Sequence, residues 1–194
     1  MSLGPAEARG ESVIVALGDS LTAGWGVAPD EAYPARLEMR LRREGYTYRV
    51  VNAGVSGDTT AGGLRRVDWV LRAGPEIVVV ALGANDGLRG QSPQAMRANL
   101  ETIVTRLQTA GARILLAGMR MPPNYGAQFT TEFQAVFPAV ARSAKVTLMP
   151  FLLDGVAADS RLNQPDGIHP TAAGHQVIAD RLWPYLRPLL RGGQ

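Results

Sequence analysis

The stretch IVVVALGAND at residues 77–86 does most to decide the fold. Its first six residues, 77–82, form an unbroken and largely β-branched apolar run, which is typical of a strand that a parallel sheet buries on both faces. The polar residues Asn85 and Asp86 follow within four positions, although a simple turn would be enough to connect this strand to the next element. The stretch therefore predicts an α/β protein with chemically useful side chains at a strand end.

Similar apolar runs recur along the chain and alternate with helical patterns. We predict four further strands, at residues 13–17, 49–53, 113–117 and 146–149. Helices are predicted from Pro34 to Gly45, from Leu64 to Leu71, from Pro93 to Gly111, over about 131–143, and from Thr171 towards Leu190 with a kink at Pro184. This alternation predicts a single-domain, flavodoxin-like, doubly wound sheet of five parallel strands in the order 2-1-3-4-5.

The domain is expected to span residues 13–190, behind an N-terminal extension at residues 1–12. Met1-Ser2-Leu3 is consistent with a cloning remnant, and the extension lacks the apolar segment of a signal peptide. Whether an export signal has been removed stays open. No apolar run approaches the ~20 residues that would span a membrane.

The composition excludes several function classes. Cysteine is absent, so there is no disulfide, thiolate metal site or cysteine nucleophile. The net charge is only +3, and the basic residues are scattered, which favours solvated helix faces over a nucleic-acid partner. The two histidines, His169 and His175, lack the spacing of a zinc site. We therefore expect no metal and no cofactor.

Four polar, glycine-containing segments occupy equivalent places in the predicted fold. They are GDSL at 18–21, NAGVSGD at 52–58, GAND at 83–86 and DGIHP at 166–170. The first three follow strands, and the fourth precedes the last helix. Ligands of doubly wound sheets bind beyond the carboxyl ends of the strands, so we expect the four segments to meet there.

Three residues of these segments have the chemistry of a serine hydrolase. A serine hydroxyl needs an adjacent base, and His169 can be that base for Ser20. Asp166 lies on the same loop and can accept a hydrogen bond from the other ring nitrogen. Taken singly, the three could be a helix N-cap, a loop histidine and a turn residue. Taken together, they predict a catalytic triad.

An acyl-transfer enzyme must also stabilise a tetrahedral oxyanion with preorganised donors. The backbone N–H groups of Ser20 and Gly57 and the side-chain amide of Asn85 fit that need. A turn glycine and an Asx-turn are the simpler alternatives for Gly57 and Asn85. Asp19 and Asp58 are interpreted as loop-organising residues that bind backbone N–H groups. His175 is expected on the surface of the last helix.

The four segments resemble the sequence blocks of the SGNH hydrolases, also called the GDSL lipase/esterase family. Ser20 falls on the nucleophile, Gly57 on the second-block glycine and Asn85 on the third-block asparagine. Asp166 and His169 fall on the Asp-x-x-His block. The blocks occur in the family's order, and the resemblance spans nearly the whole chain. It implies the SGNH hydrolase fold and ester hydrolysis.

A narrower likeness concerns the bacterial multifunctional thioesterase/lysophospholipase/arylesterase subgroup. Residues 119–126 look like its substrate-side loop, which implies substrate contacts for Met119, Met121, Pro122 and Tyr125. The likeness also implies a periplasmic or secreted protein, although a cytoplasmic one is not excluded. We expect a monomer that acts on a small-molecule ester or thioester.

The leading hypothesis is hydrolysis of aryl esters, acyl thioesters or lysophospholipids through an acyl-serine intermediate. A carbohydrate O-deacetylase on the same fold is the alternative among enzymes. A flavodoxin-like module that binds a nucleotide or flavin is the alternative from another class. The chain lacks the Gly-x-Gly-x-x-Gly pattern that such a module often carries.

Overall fold

The computed structural model describes residues 11–191, whose five strands form one parallel sheet. The strands are β1 Ser12–Gly18, β2 Tyr48–Gly54, β3 Ile77–Ala81, β4 Arg113–Ala117 and β5 Thr147–Met149. Their spatial order is β2-β1-β3-β4-β5, which confirms the predicted topology. The predicted extension at 1–12 lies outside the described residues, apart from Glu11 and Ser12.

Helices connect the strands and flank the sheet. Residues 11–191 contain α1 Ser20–Ala23, α2 Tyr33–Arg43, α3 Thr60–Arg65, α4 Val67–Leu71, α5 Ala84–Leu88, α6 Pro93–Thr109, α7 Ala127–Ala144 and α8 Ala172–Leu186. Short 3-10 turns occupy Pro123–Tyr125 and Arg187–Leu189. None of the helices in this part of the chain is long and apolar enough to cross a membrane.

The apolar pattern determines how the layers pack. Every residue of β3 is buried, as its continuous apolar run predicts. Helix α2 packs against α8 and β2, and helix α6 packs against α3 and α7. The buried stripe of α6 contains Met96, Leu100, Ile103, Val104 and Leu107. These residues recur at helical spacing, so one face of α6 covers the core.

One predicted helix is divided in two, and the backbone explains why. The helix predicted over 64–71 is two short helices, because Arg66 lies between α3 and α4 with φ −97° and ψ 0°. Two successive glycines, Gly62 and Gly63, also weaken α3. Pro184 does not end the last helix, since α8 continues to Leu186 before the 3-10 turn.

The prediction of a surface position for His175 is wrong. Its side chain is fully buried, and its Nδ1 accepts a hydrogen bond from Tyr33 N at 3.3 Å. Burial disfavours the charged ring and lowers the pKa of His175 to about 4. His175 shares a face with Ile178 and Leu182, both buried, so the spacing i, i+3, i+7 was the available signal.

Because His175 is buried and neutral, we predict that it makes the fold sensitive to acid. In the unfolded chain His175 binds a proton near pH 6.5, whereas in the native protein it does so only near pH 4. The free energy of unfolding therefore falls as the pH falls from about 6.5 to about 4. His175→Gln should remove up to about 3 kcal/mol of the fall in unfolding free energy between pH 7 and pH 4. Urea unfolding at several pH values measures it. Equal pH dependence in the variant and the wild type would contradict the prediction.

Candidate active site

The site lies at the carboxyl edge of the sheet, where the three strands β2, β1 and β3 end side by side. In the parallel register Gly18 pairs with Gly54 on one side and with Ala81 on the other. Helix α1 packs so closely here that a Cβ on Gly18 would lie 1.9 Å from Thr22 Oγ1. Glycine is therefore needed at position 18, and the segments after these strands meet as expected.

Ser20 is the first residue of α1, directly after the N-cap residue Asp19. The Asp19 carboxylate accepts a hydrogen bond from Leu21 N at 3.0 Å, which fixes the turn from strand to helix. The Ser20 hydroxyl oxygen lies 2.9 Å from His169 Nε2. A serine hydroxyl and an imidazole nitrogen are therefore within proton-transfer distance across 149 residues of sequence.

His169 is held from its other side by Asp166. The distance from His169 Nδ1 to Asp166 Oδ2 is 2.6 Å. The other carboxylate oxygen of Asp166 accepts from the backbone nitrogens of Ile168 and His169, at 2.9 and 3.0 Å. The hydrogen bond from His169 is the main reason that the pKa of Asp166 falls to about 2. The carboxylate is therefore ionised at neutral pH and orients the ring.

Gln164 ties this loop to the segment that follows α1. Its Nε2 donates to the carbonyl oxygens of Trp25 and Pro170, at 2.8 and 2.9 Å. The backbone nitrogen of Gln164 donates to His169 O at 2.7 Å. The Trp25 ring is 56% exposed, and its centroid lies 6.2 Å from that of His169. An exposed aromatic surface therefore borders the histidine.

Two of the three donors predicted for an oxyanion, Gly57 and Asn85, lie on the segments that follow β2 and β3. Gly57 has φ +79°, a conformation that favours glycine, and within residues 11–191 its N–H has no hydrogen-bond acceptor. The Asn85 amide nitrogen donates to Asp58 O at 2.9 Å and lies 3.3 Å from Asp19 Oδ2. These two contacts fix the amide in place beside Asp19, and the contact with Asp58 O is the shorter.

The two acidic residues beside the site differ in role. Asp19 is buried, and burial raises its pKa to about 6 despite the hydrogen bond from Leu21 N. Asp58 was predicted to bind backbone N–H groups, and that prediction is wrong. Its carboxylate instead forms an ion pair with Arg66, with Nε and Nη2 at 2.9 and 2.6 Å from Oδ2. The charged guanidinium of Arg66 is a stronger hydrogen-bond partner for the Asp58 carboxylate than a neutral backbone amide would be.

The segment predicted to contact substrate packs against α5, the helix that carries Asn85. Tyr125 donates its hydroxyl to Leu88 O at 3.3 Å. A Cβ on Gly87 would lie 2.4 Å from the sulfur of Met121, so these two residues pack closely. Pro122 is exposed, whereas Met119 is 6% exposed and lies in the core. The segment follows β4 and covers the flank of the site.

Two arginines that no local sequence pattern indicates contact the backbone of the site. Arg89 Nη2 donates to Gly57 O at 2.9 Å, and Arg66 contacts the ends of β1 and β2. Neither contact has a local sequence signal, since each joins residues that lie at least 13 positions apart in the chain. A cavity of about 470 Å³ lies between the end of β5 and α8, and Ser20 does not line it.

Residues 16–177 match the model of the GDSL-like Lipase/Acylhydrolase family. The chain belongs to this family. It is 43% identical over 185 residues to Esterase TesA of Pseudomonas aeruginosa, covering 95% of this chain and 92% of the relative. It is 38% identical over 184 residues to Thioesterase 1/protease 1/lysophospholipase L1 of Escherichia coli K12, covering 94% and 87%. A crystal structure of TesA superimposes with a TM-score of 0.89 at 43% identity, over 92% of this chain and 100% of the other.

These findings confirm the resemblance and the fold that the sequence blocks implied. The chain is a GDSL-family ester hydrolase with a flavodoxin-like sheet. They favour the enzyme over a module that binds a nucleotide or flavin.

We predict that Asn85 contributes to the rate of hydrolysis more than to stability. Asn85→Ala should lower kcat by about 10²–10³-fold with KM little changed, because the lost hydrogen bond matters most when the substrate oxygen is charged. Asn85→Asp should be at least as harmful, since a carboxylate would repel that oxygen. Kinetics and melting temperatures of both variants measure it. A fully active Asn85→Ala enzyme that is merely about 1 kcal/mol less stable would assign Asn85 to a turn.

Proposed function

We propose that this GDSL hydrolase cleaves carboxylic esters and acyl thioesters through an acyl-Ser20 intermediate. One observation carries the proposal, the continuous hydrogen-bonded chain from serine to carboxylate. Ser20 Oγ lies 2.9 Å from His169 Nε2, and His169 Nδ1 lies 2.6 Å from Asp166 Oδ2. Both distances fall in the range of about 2.6–3.2 Å that a nucleophile and its base require.

In the first step His169 acts as the general base. Its Nε2 takes the proton of Ser20 as the serine oxygen attacks the carbonyl carbon of the ester. The ionised Asp166 holds the proton on Nδ1, which leaves Nε2 free to accept and stabilises the imidazolium that forms.

The attack places a negative charge on the former carbonyl oxygen. The N–H groups of Ser20 and Gly57 and the Asn85 amide are proposed to bind this oxygen. Asp58 O already orients the amide, and the Gly57 N–H has no hydrogen-bond acceptor within residues 11–191. Donors fixed in advance lower the barrier because they need no reorganisation during the reaction.

Collapse of the tetrahedral species completes acylation. His169 returns its proton to the leaving alcohol or thiol, and the acyl group stays on Ser20. Water then attacks the acyl carbon while His169 takes its proton, and a second collapse releases the carboxylic acid and restores the Ser20 hydroxyl. The same histidine therefore serves as base and acid in both halves.

The surroundings of the site favour an apolar acyl or aryl group. Met121, Pro122 and Tyr125 lie on the segment that packs on α5, and the exposed Trp25 ring adds apolar surface beside His169. Met119 is buried, so it supports this segment from the core. Aryl esters, acyl thioesters and lysophospholipids fit such surroundings, and the relatives named above are an esterase and a thioesterase/lysophospholipase.

We further propose that the protein works as a monomer in the periplasm or outside the cell. This placement rests on the family resemblance. Fractionation of the native host tests the location, and finding the enzyme in the cytoplasm would reject it.

We predict that Ser20→Ala abolishes turnover of a nitrophenyl ester and leaves the fold intact, because the variant lacks the nucleophile. A serine-reactive phosphonate should add to Ser20 in the wild-type enzyme, as located by peptide mass spectrometry. Ser143→Ala is the matched control, since Ser143 lies near the end of α7, whose chain enters β5 at the opposite edge of the sheet. It should keep full activity and labelling. A phosphonate on another residue, or an active Ser20→Ala enzyme, would reject the mechanism.

A panel of substrates distinguishes this proposal from a carbohydrate O-deacetylase. It compares an aryl acetate, medium- and long-chain acyl thioesters, a lysophospholipid and acetylated xylan. The apolar segment predicts faster turnover of the acyl thioesters and the aryl ester. Preference for acetylated xylan would favour the deacetylase.

A further inference from the structure

Arg66 occupies a central place behind the site. It lies between α3 and α4, and its side chain is 23% exposed. Two of its nitrogens, Nε and Nη2, donate to Asp58 Oδ2 at 2.9 and 2.6 Å. Nη1 donates to Ala53 O at 3.0 Å, and Nη2 also lies 3.3 Å from Gly18 O. One guanidinium therefore binds the ends of β1 and β2 and the loop that follows β2.

These partners lead directly to the three proposed oxyanion donors. Gly18 is two residues before Ser20, and Asp58 is adjacent to Gly57. The backbone carbonyl of Asp58 accepts the hydrogen bond of Asn85 Nδ2 at 2.9 Å. Each donor is thus separated from a residue that Arg66 binds by at most two residues or one hydrogen bond.

The geometry requires an arginine and no other cation. The guanidinium is a planar fork with five N–H donors, which can bind one carboxylate and two carbonyl oxygens in fixed directions. A lysine ammonium at the end of a flexible chain can keep the charge beside Asp58, but it cannot hold the same directions.

We propose that Arg66 is a positioning residue for the oxyanion hole. It does not touch the substrate, but it fixes the distances between the Ser20, Gly57 and Asn85 donors through Gly18 and Asp58. This inference rests on the proposed acyl-Ser20 mechanism. It adds to that mechanism a side chain, Arg66, that holds the donors of three separate loops in one arrangement.

The proposal predicts a specific kinetic defect. A displacement of catalytic groups by about 1 Å can cost about 10²-fold in rate. The loss should appear in kcat, with KM little changed, because the oxygen carries its full charge only near the transition state.

The chain offers a matched control in Arg113. Its side chain is 24% exposed, it forms an ion pair with Glu76, and it donates to Leu189 O. It is the first residue of β4, so it lies at the amino edge of the sheet, opposite the site. Arg113 is thus an equally buried arginine clamp that is remote from Ser20.

The experiment compares Arg66→Lys and Arg66→Ala with Arg113→Lys and Arg113→Ala. Steady-state kinetics, melting temperature and inhibition by a phenylboronic acid are measured for each. The boronic acid forms a tetrahedral adduct with the serine and places an oxygen where the oxyanion forms. We expect the Arg66 variants to lose about 10–10²-fold in kcat and a similar factor in boronic acid affinity. The Arg113 variants should lose melting temperature only.

The outcomes test the positioning role of Arg66 separately from the acyl-Ser20 mechanism on which it rests. If Arg66→Ala fails to fold, Arg66→Lys and Asp58→Asn carry the test, since each disturbs the clamp with a smaller change. Unchanged kcat in folded Arg66 variants, or equal kcat losses in the Arg113 variants, overturns the positioning role. Neither result affects the mechanism if Ser20→Ala is inactive. An active Ser20→Ala enzyme rejects the mechanism itself, whatever Arg66 does.

Discussion

The site depends on the parallel pairing of β1 with β2 on one side and β3 on the other. The register brings Gly18, Gly54 and Ala81 to the same level, so three loops leave the sheet side by side. No side chain fits at Gly18 or Gly54, where a Cβ would lie within about 2 Å of α1 atoms. The close packing of α1 on these strand ends therefore fixes Ser20 beside the Gly57 and Asn85 segments.

The histidine comes from a different part of the fold, and its position is fixed by other means. The loop before α8 is held by Gln164, which binds the carbonyl of Trp25, and by Asp166, which binds its own loop amides. The low pKa of Asp166 keeps that carboxylate charged at neutral pH. Asp166 thus orients His169 through Nδ1, the ring nitrogen that faces away from Ser20, while the edge of the sheet positions Ser20. The distance of 2.9 Å between them is the result of both constraints.

The sequence predicted the features that have local signals. The β-branched run at 77–82 identified a central strand, and the glycine-rich segments after the strands pointed to the edge where Asp19 and Asn85 meet. Features set by distant partners escaped prediction. His175 is buried because α2 packs over it, and Arg66 binds carbonyl groups up to 48 residues away. The polarity of both side chains suggests a surface position. His175 also has an opposing local signal, its helical spacing with the buried Ile178 and Leu182, whereas Arg66 has none.

The central claim is that the acyl group passes through Ser20, and a rapid-quench measurement tests it most directly. The wild-type enzyme is mixed with excess nitrophenyl ester, the nitrophenol released in the first turnover is followed, and the quenched protein is analysed by mass spectrometry. When deacylation is the slower half, the account predicts a burst close to one equivalent per enzyme and an acyl group on Ser20. An acyl group on a different residue, with Ser20 unmodified during turnover, would contradict it.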